Sequence, residues 1–84
     1  MNQNQERRRR YSEEIELASR VIALNLQRLR HQNRFTLKAV SRATGISVAH
    51  VNRIELGHSS AHLNTLQKLA DLYGVPMAGL FDEH

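Results

Sequence analysis

TLKAVSRATGISVAHVNRIELG, residues 36–57, holds two short segments with apolar residues at helical spacing, divided by Thr44-Gly45. Thr36 is a good N-cap, and the element it opens runs over Leu37 to Ala43 before Gly45, a residue able to take the left-handed conformation that ends helices. Ser47 caps the next element, Val48 to Leu56, which Gly57 closes in the same way. Two short helices joined by a tight glycine turn follow from these residues alone.

On the N-terminal side, Ser12 is expected to cap a long first helix reaching about His31, with Glu13, Glu14 and Glu16 complementing its positive end. Ala18, Ile22, Leu26 and Leu29 recur at spacings of four, four and three and form its core-facing stripe. Residues 1–11, MNQNQERRRRY, have the composition of a flexible basic arm. On the C-terminal side a polar loop, His58-Ser59-Ser60-Ala61, leads to a fourth helix from about Leu63 to Tyr73, with Leu63, Leu66, Leu69, Ala70 and Tyr73 inward. Gly74 and Pro76 end it, and Met77 to Phe81 form one or two turns of a fifth helix whose Leu80 and Phe81 cover the core. The expectation is an all-α fold of five helices with an extended first helix, a disordered basic arm over 1–11 and a single domain over 12–84.

The 84 residues leave room for one modest core. With no cysteine, a disulfide framework and a thiolate zinc site are excluded. The N-terminus lacks the apolar run of a signal peptide, and no stretch approaches the roughly 20 apolar residues of a membrane span. A soluble, cytoplasmic protein is expected. The net charge of +4 is modest, but its distribution is lopsided. Between Glu16 and Glu55 there is no acidic residue, while Arg20, Arg28, Arg30, Arg34, Lys38, Arg42 and Arg53 fall in that interval. A merely solvated helix face usually mixes acids with bases, so this one-sided stretch reads as a phosphate-facing surface.

Taken together, Leu26, Leu29-Arg30, Thr36, the turn Thr44-Gly45-Ile46-Ser47, Val51, Arg53-Ile54-Glu55 and Gly57 occur in an order that resembles a known family. The match continues through Leu63, Thr65-Leu66, Lys68-Leu69-Ala70, Gly74-Val75-Pro76 and Leu80-Phe81. The chain from Ile22 to Phe81 is similar to the phage-repressor helix-turn-helix domain, the Cro and lambda-repressor-like or XRE family. That resemblance implies a transcriptional regulator that binds double-stranded DNA as a two-fold dimer, with helix 3 in the major groove and helix 2 across the backbone. Recognition helices about 34 Å apart would then select a near-palindromic operator. Carried over by position, Val48, Ala49, Asn52 and Arg53 approach base edges with His50 flanking them, while Arg34, Thr36, Lys38, Ser47, His58, Ser59 and Ser60 are placed for phosphates. Arg30 and Glu55 match positions that pair helix 1 with the end of helix 3. The sequence departs from the family at Leu37, where glutamine is common, at Arg34, where glycine is common, and at the apolar Val48 and Ala49, which favour thymine methyls and DNA shape.

Other readings are weaker. His58 and His62 have an i, i+4 spacing, but they fall in an expected loop without a third ligand, so no metal site is expected. Ser41, Ser47, Ser59 and Ser60 lack histidine and carboxylate partners at motif spacing, no glycine-rich loop cradles a phosphate, and neither an enzyme nor a cofactor is expected. Arg7 to Arg10 suit a minor-groove or phosphate arm and equally a solubilising tail. The competing class is the antitoxin of a toxin–antitoxin pair, distinguished by a toxin that copurifies; non-specific nucleic-acid binding, RNA included, is a further alternative. Helix 1 also carries a second apolar stripe. Leu17, Val21 and Leu24 lie within about 60° of each other and roughly 130° from the core stripe. They either pack on the chain's own fifth helix or, with Leu72 and Met77, meet a second protomer; the homodimer is the expectation carried forward.

Overall fold

The computed structural model describes residues 2–58 and 61–83, and its regular elements there are all helical. Four α-helices, α1 (Gln3–Gln32), α2 (Leu37–Thr44), α3 (Val48–Glu55) and α4 (Leu63–Tyr73), are followed by a 3₁₀ turn, Met77–Phe81. The expected fifth helix is therefore this tighter turn. Its polypeptide is clipped by Asn25, a buried residue of α1 whose amide donates to the Leu80 carbonyl at 2.8 Å and the Asp82 carbonyl at 2.9 Å.

The first helix begins at Gln3, not at Ser12, so residues 3–11 of the stretch expected to be disordered are helical. Its start is a capping box: Asn2 Oδ1 accepts from the Gln5 amide at 2.9 Å, and the Asn2 amide donates to Gln5 Oε1 at 3.2 Å. Glu6 sits in the first turn, where the helix dipole favours a negative charge. Glu6 and Arg10, Arg9 and Glu13, and Arg10 and Glu14 stand four apart, the spacing at which opposite charges support a helix. Ser12 becomes an interior residue.

Residues 2–17 are exposed throughout, so the N-terminal half of α1 projects from the globule. Thirty residues at about 1.5 Å each make a rod of about 45 Å, and the longest dimension of the molecule is 47 Å. The radius of gyration, 14.1 Å, exceeds the roughly 12 Å of a compact domain of this length. The core forms where the other half of α1 meets the remaining elements: Ile22 and Leu26 join Val40 of α2, Val51 and Ile54 of α3, Leu66 and Leu69 of α4 and Leu80 of the closing turn. Leu26, Leu69 and Leu80 are fully enclosed, each contributing about 1.5–3 kcal/mol through burial. Two residues expected inward point out instead. Leu63, the first residue of α4, and Phe81, the last of the 3₁₀ turn, stand at the edges of the core and are exposed. No described helix is long and apolar enough to cross a membrane.

Candidate nucleic-acid interface

Between α2 and α3 the chain reverses through Gly45, at φ 78°, and then Ile46, whose side chain is buried in the core beneath the turn. A side chain at that φ would be strained, which is why glycine holds this corner. Thr44 stiffens it by donating its hydroxyl to the Val40 carbonyl at 2.8 Å while its oxygen accepts from the Ile46 amide at 3.2 Å. The N-termini of both helices are capped by hydroxyls: Thr36 accepts from the Ala39 amide at 3.0 Å and Ser47 from the His50 amide at 3.1 Å. A capping hydroxyl spends a lone pair on the helix and still carries an O–H that can be donated outward. Thr36 and Ser47 themselves are exposed.

Helix α3 is buried along Val51, Ile54 and Glu55, which leaves Val48, Ala49, Asn52 and Arg53 on the solvent side, with His50 half-buried beside them. Its orientation is fixed from below. Arg30 of α1 donates through Nε to both carboxylate oxygens of Glu55, at 3.0 and 2.9 Å, and through a terminal nitrogen to the Phe35 carbonyl at 3.0 Å. The pair is largely enclosed, with side-chain exposures of 17% for Arg30 and 5% for Glu55. Gln27, one turn earlier on α1, donates to the Glu55 carbonyl. Tyr73 closes the cluster, stacked on Phe35 with ring centroids 6.2 Å apart. Burial, reinforced by the Glu55 carboxylate and opposed by Arg30, pushes the Tyr73 phenol up to about 12. Sequence reasoning named Arg30 and Glu55 but missed the hydrogen bonds of Asn25 and Gln27 and the stacking of Tyr73. For Gln27 a signal existed, since it stands three residues before Arg30 and so on the same side of α1.

This burial shapes the surface potential. The Glu55 carboxylate is enclosed with its cation, so from residue 20 to residue 56 no carboxylate reaches solvent, whereas Arg20, Arg28, Arg34, Lys38, Arg42 and Arg53 are exposed. Arg34 is held in an unusual pose. After α1 the Phe35 amide bonds the Arg30 carbonyl and the Arg34 amide the His31 carbonyl, a Schellman motif with Arg34 in its left-handed position at φ 57°. The same motif closes α3, where Gly57 has φ 75°. Leu37, where glutamine is common in the resembling family, is half-buried against the core. His58 is exposed, and Ser59 and Ser60 lie outside the described residues. On the far side, Leu17 and Leu24 are 54% and 65% exposed and line a groove with the half-buried Val21, Arg20, Asn25, Asp82 and Glu83, while Leu72 and Met77 are half-buried against their own core.

Two short helices at a glycine corner, the second resting on a buried ion pair and exposing its outer face, define a helix-turn-helix protein. A helix-turn-helix family model, HTH_3, matches residues 26–80, and the chain belongs to this Cro and lambda-repressor-like, or XRE, family. It is similar to the HTH-type transcriptional regulator DdrOP3 of Deinococcus deserti, at 35% identity over 57 residues that span 68% of this chain and 44% of the relative. It also resembles the crystal structure of an HTH_3 family transcriptional regulator from Vibrio cholerae, with a TM-score of 0.74 and 31% identity, covering 80% of this chain and 38% of that one. The chain thus spans less than half the length of each.

Proposed function

We propose that this chain is the DNA-binding unit of a sequence-specific transcriptional regulator, engaging double-stranded DNA with α3 in the major groove. The observation that carries the reading is the burial of Glu55 against Arg30, which leaves the exposed face of α2 and α3 without an anion and rich in arginine. Asn52 carries the donor and acceptor that match the N7 and N6 edge of adenine, Arg53 carries two donors for guanine O6 and N7, and Val48 and Ala49 suit thymine methyl groups. Thr36, Ser47, Lys38, Arg34 and His58, with Ser59 and Ser60, are assigned to phosphates, where hydroxyls, cations and helix N-termini neutralise charge and fix register without reading sequence.

The unit acts as a homodimer on a near-palindromic operator, because a single eight-residue recognition helix reads few base pairs and two-fold pairing doubles the site. The stripe Leu17, Val21 and Leu24 is assigned the contact, with the half-buried Leu72 and Met77 as further contributors. Relatives named as transcriptional regulators support the reading. Selection of binding sites from a random DNA pool tests it. A recovered inverted repeat with half-sites about one helical turn apart, bound far more tightly than random duplex or RNA at the same salt, is the expected result. Equal affinity for all three would overturn it.

A further inference from the structure

The exposed stripe of α1 does not stop at its three apolar residues. Glu14, Leu17, Val21, Leu24 and Arg28 follow one another at spacings of three, four, three and four, and at 100° per residue all five fall within an arc of about 80°. Glu14 and Arg28 are exposed like the leucines between them. Read in either direction the stripe is a charge, a leucine, Val21, a leucine and the opposite charge. That order complements itself only when the second copy runs the other way.

We infer that α1 pairs with α1 of a second copy as an antiparallel helix pair crossing at Val21. In that register Val21 meets its own counterpart, Leu17 packs on Leu24 of the partner, and Glu14 faces Arg28 of the partner at each end. A parallel pair would instead set Glu14 against Glu14 and Arg28 against Arg28. Like charges in contact are unfavourable, so the charge pattern selects the antiparallel arrangement. Arg28 already donates to Asn25 Oδ1 at 3.2 Å, and Asn25 lines the same groove as Val21 and Leu24. One step further out, Arg10 lies on the same stripe, and the register brings it to Gln32 of the partner, the last residue of α1, where the helix dipole favours a cation. Antiparallel packing of heptad-spaced helices at a shallow crossing angle accommodates this seam. The inference deepens the dimeric reading above and rests on it.

The chain has no cysteine, so single-cysteine variants report the register cleanly. Under mild oxidation, Val21→Cys alone should form a covalent dimer, whereas Leu17→Cys and Leu24→Cys should cross-link efficiently only when the two proteins are mixed. Efficient cross-linking of Leu17→Cys with itself would mean a parallel pair and overturn the proposal, as would the absence of any cross-link in protein that melts like the parent. As a second measurement, Glu14→Arg and Arg28→Glu should each raise the dimer dissociation constant several-fold, and the double exchange should return it towards the parental value. Failure of the double exchange to recover would remove the cross-pairs. Affinity for an isolated half-site separates this inference from the DNA-binding reading: half-site binding that persists while the cross-links fail overturns the interface alone, and loss of half-site binding in the dimeric parent overturns the reading beneath it.

Discussion

The two halves of α1 are one continuous helix held by different forces. From Ile22 onward the helix is tied to the rest of the molecule, through Ile22 and Leu26 in the core, Asn25 on the C-terminal turn and Arg30 on Glu55. From Gln3 to Glu14 every residue is exposed, and that stretch rests mainly on a capping box, an acidic first turn and charges four residues apart. Local terms of this kind are worth from a few tenths to about 1 kcal/mol each, whereas truncating a buried leucine or removing one partner of a buried ion pair costs about 2–5 kcal/mol. The anchored half positions the recognition helix; the projecting stretch adds little to the stability of its own globule.

The strongest way to break this contrast is at the anchored half. Glu55→Ala leaves Arg30 buried without its counter-charge and is expected to cost about 3–5 kcal/mol, read as a large fall in the unfolding midpoint. A variant that melts like the parent would contradict the role given to the pair. Next in size is an alkaline effect from Tyr73. Its folded-state pKa of about 12 lies above its ordinary value of 10.0, so the folded protein keeps a proton that the unfolded chain has already lost. The stability it contributes is complete below pH 10 and is lost as pH rises through 12. Thermal melts of the parent and Tyr73→Phe should therefore fall on diverging curves above pH 10, the parent declining more steeply.

Arg34→Gly has a smaller effect. The left-handed pose costs a non-glycine residue about 1–2 kcal/mol, and glycine gives back part of that as unfolded-state entropy. A net stabilisation of less than about 1 kcal/mol is expected, together with weaker binding to specific and random DNA alike. Smallest of all, on stability, is Ser12→Pro. Proline there should unravel the turns before it and lower the helical circular-dichroism signal, because a free segment of nine or ten residues is too short to stay helical alone. The midpoint should not move. A midpoint that fell by several degrees would mean that the projecting half is part of the cooperative unit after all.

The same contrast separates what was legible in the sequence from what was not. The boundaries of α2, α3 and α4 could be read to within a residue because each rests on strong local signals, a hydroxyl cap or a glycine with positive φ. The start of α1 was misplaced because four arginines in a row suggest disorder by composition, while the features that make them helical, Asn2 with Gln5 and glutamates four residues away, are individually weak. The outward residues of α3 were legible through the family resemblance, carried over by position. The long-range supports of the fold were not, since Asn25 acts on carbonyls 55 and 57 residues away in the C-terminal segment and Tyr73 of α4 stacks on Phe35 of the loop after α1. Contacts of that range leave no spacing in the chain to recognise.

The central claim is that α3 reads bases while α2 and the loops hold phosphates, and titration of a selected operator and a random duplex across a range of salt concentrations tests it most directly. Asn52→Ala and Arg53→Ala should each lose about 1–3 kcal/mol of discrimination between operator and random DNA. Lys38→Ala should weaken both by the same factor and reduce the slope of log affinity against log salt by about one. An Arg53→Ala protein that kept the parental ratio of specific to random affinity, with only the salt slope reduced, would show that the outer face of α3 binds backbone and would contradict the account.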